Sequence, residues 1–304
     1  MIFVANHNGQ IGNRIVLFLH SLATAIDTKQ SLLFLFGSDV RRACALPKGE
    51  SGFRVWCPGF SAVRLWRFGL FVLQKGFGYA PFSSRNRRQY LMSLPDRLKR
   101  IAARPGRIHP VFFWDFKNNA ALVRHRDEIL RTVRIHPRHF RKPDAFLSTL
   151  RDKADTIVGV HVRRGDYRSF HGGKFMFDLA DWAQFMNSFL DGESGTKTVF
   201  VVVSDETVPI GELRSSGFRG EALQMPGGTP FEDMALLSRC DFVMGVPSTF
   251  SWCAAFLGNR PLLVLRNRET VCGRSRFRPV SGDEYRVQAW GMDSFIEQRK
   301  EPAE

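Results

Sequence analysis

Nine consecutive residues bring together groups that can bind and activate a phosphate ester. The run is G-V-H-V-R-R-G-D-Y at 159–167, and it contains His161, Arg163, Arg164 and Asp166. Two adjacent guanidiniums suit a pyrophosphate, because each planar fork donates paired, charge-assisted hydrogen bonds. The alternative is a structural ion pair between an arginine and Asp166 at the end of a strand. The run by itself leaves both interpretations open.

Polar side chains recur at two later points of the sequence. Ser204 and Asp205 follow the segment T-V-F-V-V-V, and Ser248, Thr249 and Ser251 stand within P-S-T-F-S-W. The second group is placed at the start of a helix, where serine is a favoured capping residue. Free N–H groups at such a helix start, together with the neighbouring hydroxyls, form an anion site.

Each of these three groups follows a segment that is typical of a buried parallel strand. The segments are 156–160, 198–203 and 241–246. The first two are apolar and rich in β-branched residues, and the third is mostly apolar. Helices are predicted at 179–190 and 229–239. Ligands of open α/β sheets bind outside the carboxyl ends of the strands. We therefore expect the three polar groups to line one nucleotide-diphosphate pocket.

The beginning of the chain shows a similar order of elements. Strands are predicted over 2–5 and 31–36, with a helix over 15–26 between them. The intervening loop contains Gly9 and Gly12 but is neither a dinucleotide fingerprint nor a P-loop. These glycines allow the backbone to approach a ligand or another domain, and an ordinary tight turn is the alternative.

The middle of the chain gives weaker signals. Its predicted elements are helices over 65–77, 94–103, 118–130 and 143–153 and a strand over 108–114. A basic loop at 83–88 contains Arg85, Arg87 and Arg88, which could face an anionic acceptor or form a solvated surface. We place the domain boundary within 140–155, which gives domains 1–150 and 151–304.

Composition limits the classes of protein to consider. The 304 residues carry a net charge of +15, from 44 Lys and Arg against 29 Asp and Glu, which indicates nucleotide, nucleic-acid or anionic-membrane partners. No apolar stretch is long enough for a transmembrane helix, and the start has no signal-peptide pattern. Five cysteines without C-x-x-C spacing predict reduced thiols and a cytoplasmic location.

The motifs resemble the inverting α-1,2-fucosyltransferase family, which shares a superfamily with α-1,6 and protein O-fucosyltransferases. The segments that carry the resemblance are G-V-H-V-R-R-G-D-Y at 159–167, S-D-E at 204–206, D-M-A-L-L-S at 233–238 and P-S-T-F-S-W at 247–252. The segment N-G-Q-I-G-N at 8–13 is an altered form of that family's G-G-L-G-N-Q start.

The resemblance implies a GT-B-like α/β fold, with two Rossmann-like domains whose parallel sheets face a central cleft. Residues 1–150 would form the acceptor-side domain and residues 151–304 the GDP-sugar-binding domain. The implied reaction is metal-independent transfer of fucose from GDP-fucose to a glycan hydroxyl with inversion, α-1,2 to a galactoside in surface polysaccharide biosynthesis. The sequence contains no D-x-D motif, and arginines can neutralise a leaving pyrophosphate in place of a metal ion.

The resemblance also implies roles for individual residues. Arg163 would bind the β-phosphate and His161 would orient the donor and Arg163. Arg164 would bind the diphosphate or pair with Asp166. Ser204 and Asp205 would line the nucleotide site, with Ser248, Thr249 and Ser251 on the phosphates. Gly12 and Asn13 would form the facing loop across the cleft.

The general base stays open among three candidates: Asp166, His171 and His7. An oxocarbenium-like transition state places much of the barrier on leaving-group stabilisation, so a weak base can suffice. A related α-1,6 group has an acidic residue at the position of His171.

Partners follow from the same reasoning. We expect an oligosaccharide or lipid-linked glycan acceptor, a peripheral contact with anionic lipid at the inner face of the cell membrane, and no nucleic acid. A related GT-B transferase with another nucleotide-sugar or linkage is one alternative. A basic nucleic-acid-binding protein is another, although no stacking platform or known binding motif is present.

Overall fold

The computed structural model describes residues 1–4, 9–34, 37–46, 55–56, 94–104, 106–111, 116–193, 195–282 and 284–285. The chain divides into two compact units. The first comprises Met1–Ala145, Gly228–Ala235 and Leu257–Asn259, and the second comprises Phe146–Gly227, Leu236–Phe256 and Arg260–Glu304. Residues 228–235 and 257–259 therefore belong to the first unit, whereas the predicted domains of 1–150 and 151–304 are continuous and assign them to the second.

The first unit contains a four-stranded parallel sheet and a two-stranded antiparallel pair. Its strands are β1 (Ile2–Val4), β2 (Leu32–Phe34), β3 (Cys44–Ala45), β4 (Val55–Trp56), β5 (His109–Val111) and β6 (Arg134–Ile135). The larger sheet has the order β4-β2-β1-β5, and β3 pairs with β6. The helices up to residue 151 are α1 (Ile11–Asp27), α2 (Ser38–Ala43), α3 (Leu94–Ala103), α4 (Asn119–Arg124), α5 (Arg126–Thr132) and α6 (Arg141–Arg151).

The second unit is built on a six-stranded sheet. Its strands are β7 (Thr156–Val162), β8 (Thr198–Ser204), β9 (Glu221–Leu223), β10 (Phe242–Gly245), β11 (Pro261–Val264) and β12 (Arg278–Pro279). Their order is β12-β11-β10-β7-β8-β9, and every neighbouring pair is parallel except β11 and β12. The helices after residue 151 are α7 (Leu179–Leu190), α8 (Pro230–Arg239) and α9 (Thr249–Gly258). Residues 230–235 of α8 and 257–258 of α9 belong to the first unit.

Strand β7 lies in the middle of this sheet, between β10 and β8, and most of its residues are apolar. All seven of its residues are buried, as expected for a parallel strand covered on two sides. Large aromatic side chains pack against it from helix α7 and strand β8, including Trp182, Phe185, Phe189 and Phe200. This rigid core fixes the direction in which the residues after β7 leave the sheet.

The elements predicted around the three polar groups are confirmed. Strands β7, β8 and β10 and helices α7, α8 and α9 lie at the predicted places, and helix 94–103 has the predicted bounds. The prediction of one helix over 118–130 was wrong, because α4 and α5 are separated at His125. The backbone of His125 leaves the helical region, and its ring bonds the Asp27 carboxylate at 3.0 Å.

Several predictions concern residues outside the described ranges. They are the helix over 65–77, the basic loop with Arg85, Arg87 and Arg88, the candidate base His7, and the ends of the strands predicted over 31–36 and 108–114. Strands β3, β6, β9 and β12 were not predicted, because two or three residues are too few to show a period.

Two further features of the described residues concern their cysteines and the length of their helices. The cysteines at 44, 240, 253 and 272 are buried and are not joined in disulfides. None of the helices in the described ranges combines the length and apolar character needed to cross a bilayer.

Candidate functional site

The strand register brings the three polar groups to one edge of the second unit's sheet. His161 on β7 lies beside Gly245 on β10 and Val203 on β8, and Val162 lies beside Ser204. The loops that follow β7, β8 and β10 therefore start at the same level. The sheet order thus brings the polar groups together at the carboxyl ends of neighbouring parallel strands, as predicted.

Two carboxylates hold the guanidinium of Arg163 at this edge of the sheet. Its side chain is only 12% exposed. Its Nε donates to Asp166 Oδ1 at 2.9 Å, and an Nη atom lies 3.3 Å from Asp205 Oδ2. Its guanidinium also lies 5.9 Å from the centre of the Tyr167 ring. The planar fork is thus fixed in direction by two carboxylates before any ligand is bound.

Asp205 joins the loop after β8 to the loop after β7. Its Oδ1 accepts the backbone N–H of Arg164 at 2.9 Å, while its Oδ2 faces Arg163. A Cβ at Gly165 would lie 2.6 Å from Oδ2. The glycine in R-R-G-D is therefore needed so that this carboxylate can approach both residues before it.

Arg164 pairs with the loop after β8 and not with Asp166. Its Nε lies 3.9 Å from Glu206 Oε2, and the carboxylate of Glu206 also receives two hydrogen bonds from Arg168, at 2.6 and 2.5 Å. Of the two alternatives for Arg164, the pair with Asp166 is not the one observed, because Asp166 pairs with Arg163. The hydrogen bond from Arg168 lowers the pKa of Glu206.

Glu206 and Arg168 are site residues that sequence reasoning did not select. Both were visible as neighbours of the motifs, Glu206 in S-D-E and Arg168 directly after Tyr167. The site holds three guanidiniums and three carboxylates, so its formal charges cancel. They belong to Arg163, Arg164, Arg168, Asp166, Asp205 and Glu206.

His161 is a neutral imidazole at the bottom of this edge. It is 2% exposed, and its ring packs on Phe250 with a centroid distance of 5.0 Å. Burial, with a smaller contribution from the charge of Arg163, lowers its pKa to about 3. Its Nδ1 is buried without a hydrogen-bond partner. A neutral ring in this position can accept or donate a hydrogen bond but carries no charge for a phosphate.

Tyr167 ties the β7 loop to the β10 loop. Its hydroxyl donates to the carbonyl of Pro247, directly before the start of α9. Burial raises the pKa of the Tyr167 hydroxyl, so the proton needed for this bond is retained. The last residue of the G-V-H-V-R-R-G-D-Y run is therefore a structural tie between two walls of the site.

The start of helix α9 forms the third wall. The Ser248 hydroxyl accepts the backbone N–H of Phe250 at 3.2 Å, which confirms it as the capping residue. The Ser251 hydroxyl donates to the Ser248 carbonyl at 3.3 Å, and Ser251 is 1% exposed. Thr249 is the first residue of the helix and is half-buried. Ser248 and Ser251 thus both shape this helix start from within.

Ser204 and His171 contact other residues of their own loops. The Ser204 hydroxyl accepts the N–H of Glu206 at 3.2 Å, which turns the chain after β8. His171 is exposed, has a left-handed backbone (φ 50°), and its ring meets the edge of Phe170 at 4.5 Å. Phe170 in turn packs on Tyr167 at 4.7 Å, so two aromatic rings connect His171 to the site.

The predicted loop residues Gly12 and Asn13 belong to the first unit. Both lie in the first turn of α1. Gly9 has a φ of +83°, and a Cβ there would lie 2.5 Å from the Asn13 side chain. This conformation explains why glycine precedes the helix. The third base candidate, His7, is not among the described residues.

Charged side chains elsewhere do not form a metal centre in what the structure describes. Among these residues, no group of three or more His, Cys, Asp or Glu side chains is arranged to hold a metal ion.

Comparison with solved structures defines the class of fold. A mutant of Arabidopsis thaliana FUT1 in complex with GDP matches with a TM-score of 0.59 and 15% identity, over 91% of this chain and 73% of that chain. The fucosyltransferase NodZ from Bradyrhizobium matches with a TM-score of 0.57 and 15% identity, over 88% and 96% of the two chains. Another matching NodZ structure was soaked with GDP-fucose. The chain has the predicted GT-B-like α/β fold.

Sequence comparison narrows this class. The profile of glycosyl transferase family 11 matches residues 95–274. The chain is 32% identical over 155 residues to mouse galactoside 2-α-L-fucosyltransferase Sec1, which covers 47% of this chain and 40% of the relative. It is 32% identical over 152 residues to rabbit galactoside α-(1,2)-fucosyltransferase 2, covering 47% and 42%. The match thus spans less than half of these relatives. The chain belongs to glycosyl transferase family 11.

Proposed function

We propose that this protein transfers fucose from GDP-fucose to the 2-hydroxyl of a galactoside, with inversion at the sugar carbon and without a metal ion. The observation that carries the proposal is the convergence of Arg163, Arg164 and the start of α9 on one sheet edge, in a chain of glycosyl transferase family 11. The names of the mouse and rabbit relatives support the galactoside and the linkage. The GDP and GDP-fucose in matching structures support the donor.

Donor binding is an exchange of partners at Arg163. The two carboxylates that now pair with its guanidinium, Asp166 and Asp205, compete with a diphosphate for the same cation. Asp166 is 56% exposed and Asp205 is 22% exposed, so Asp166 is the partner that can move away into solvent. The diphosphate takes its place, and the N–H groups at the start of α9 add donors from the other side.

In the transfer step, the bond between the sugar carbon and the β-phosphate oxygen breaks, and GDP leaves with the electron pair. Negative charge then grows on the β-phosphate, where the fixed fork of Arg163 stabilises it. The acceptor hydroxyl attacks the opposite face of the sugar and loses its proton. Asp166 and His171 remain candidates for this proton in the described site, with His7 as the third. With its pKa near 3, His161 would instead position the donor.

Roles for the two units complete the proposal. The second unit would bind the GDP-sugar, and the first would bind the acceptor, an oligosaccharide or lipid-linked glycan of a surface polysaccharide. We place the protein in the cytoplasm, because its five cysteines lack C-x-x-C spacing and the pattern of a disulfide framework.

The decisive experiment is incubation of the protein with GDP-fucose and a panel of β-galactosides and lipid-linked oligosaccharides. We expect an α-1,2-linked fucose in the NMR spectrum of the product, and full transfer in excess EDTA. A matched reaction with GDP-mannose should release no mannose. Transfer only from another nucleotide-sugar, a complete metal requirement, or RNA binding that GDP does not affect would contradict the proposal.

A further inference from the structure

One edge of the first unit's sheet carries exposed cations around an exposed isoleucine. Ile108, directly before β5, is 65% exposed. Arg104 and Arg107 bound the turn between α3 and β5, in which the Arg107 N–H donates to the Arg104 carbonyl at 3.2 Å. Both arginines are exposed, as are Lys99 on α3 and Lys29 before β2. We call these five residues the basic edge.

Hydrogen bonds fix the three segments of the basic edge together. The Gln30 side chain donates to the carbonyl of Ile101 on α3 at 3.0 Å. The Met1 nitrogen donates to the Gln30 side chain at 2.8 Å and to the Arg107 carbonyl at 2.7 Å. The turn before β2, the end of α3 and the turn before β5 therefore meet at the amino ends of the parallel strands.

This position separates the basic edge from a ligand pocket of its own sheet. Parallel sheets bind ligands at the carboxyl ends of their strands, which is the opposite edge. The cations here therefore need another explanation. An exposed apolar side chain on the same edge as several exposed cations suits the interface of an anionic bilayer, where the charges meet headgroups and the apolar group enters the acyl boundary.

We propose that the basic edge binds an anionic phospholipid surface, with its four cations on the headgroups and Ile108 inserted between them. Each such cation is worth a factor of about five in partitioning, equivalent to ~1 kcal/mol. The proposal does not depend on the proposed transfer reaction, because the basic edge contains no residue of the site at β7. It would bring the first unit, and the acceptor we assign to it, to a membrane.

The test is co-sedimentation of the full chain with vesicles of phosphatidylcholine and phosphatidylglycerol, compared with phosphatidylcholine alone. We expect binding to the anionic vesicles only, and release at high salt. The double variant Arg104→Gln/Arg107→Gln should bind about 25-fold more weakly. The matched double variant Arg214→Gln/Arg276→Gln removes the same charge from exposed positions of the second unit and should bind like wild type.

A second pair of variants tests the apolar contact. Ile108→Ser should weaken vesicle binding, and Val271→Ser, at a 58% exposed position in the second unit, should not. Equal binding to both kinds of vesicle, equal losses in the two double variants, or binding of RNA but not of vesicles would overturn the proposal. Transfer to a soluble galactoside should be unchanged in all four variants, so failure of this proposal and failure of the enzymatic one give different results.

Discussion

Replacement of Arg163 is the most direct test of the proposed chemistry. The structure shows which interaction would be lost, because the guanidinium makes contacts at 2.9 and 3.3 Å with two carboxylates whose places a diphosphate would take. Removing one preorganised donor from a developing oxyanion costs about 10²–10³ in kcat. We therefore expect Arg163→Ala to lower kcat by at least about 10²-fold. Arg163→Lys keeps the charge and loses the fork, so it should fall between Ala and wild type.

The same contacts predict that the Arg163 variant still folds. Both carboxylates reach solvent, and exposed or partly exposed ion pairs contribute about 0.2–1 kcal/mol each. The loss is small beside a free energy of unfolding of about 5–15 kcal/mol. Arg219→Ala is a suitable control, because Arg219 also pairs with an aspartate, Asp191, in the same unit but outside the site.

The assay should separate binding from chemistry. GDP release with GDP-fucose and a galactoside gives kcat and KM, GDP titration calorimetry gives the Kd, and thermal unfolding gives the Tm. We expect the Arg219 variant to match wild type in kcat. If folded Arg163→Ala retained more than about a third of the wild-type kcat, Arg163 would not be the group that stabilises the leaving phosphate.

Three further predictions concern the surroundings of this arginine. Glu206→Gln weakens the pair of hydrogen bonds between Arg168 and Glu206, so the KM for GDP-fucose should rise several-fold while the Tm stays nearly unchanged. An unchanged KM would show that these hydrogen bonds do not position the site. Tyr167→Phe removes the donor to the Pro247 carbonyl, so the free energy of unfolding should fall by about 1–3 kcal/mol and the Tm should fall with it. An unchanged Tm would contradict a stabilising role for this hydrogen bond. Burial lowers the pKa of His161 to about 3, so the unfolded chain binds a proton at this histidine at a higher pH than the folded chain does. The free energy of unfolding should therefore fall by up to about 1.4 kcal/mol per pH unit below pH ~6.5. In urea titrations, His161→Gln should flatten that slope.

The sheet and its ligand edge could be predicted from the sequence because β7 and β8 are long and apolar. Seven buried residues in β7, followed at once by charged ones, leave little choice of structure. Short edge strands such as β9 and β12 lack that signal, since their place depends on the strand they join. The break between α4 and α5 at His125 also depends on a tertiary contact, because the His125 ring is hydrogen-bonded to the carboxylate of Asp27 on α1.

The pairing of charges within the site could be predicted only in part. Arg163 and Asp166 are three residues apart in a tight turn, a spacing that the sequence shows. Arg164 and Glu206 are 42 positions apart, and only the sheet register brings their loops together. The sequence placed both arginines at one edge of the sheet but left open which of them pairs with Asp166, and the structure shows that it is Arg163.

Charge balance in the site suggests how one arrangement can favour the transition state over the bound donor. Three guanidiniums face three carboxylates, so a diphosphate gains Arg163 only by displacing Asp166, and the net gain on binding is small. As the sugar bond breaks, charge on the β-phosphate increases while the fork is already oriented. The interaction therefore strengthens in the transition state more than in the ground state, and such interactions raise kcat instead of only tightening binding. An Asp166→Asn variant should accordingly bind GDP more tightly than wild type, because the competitor for the fork has lost its charge.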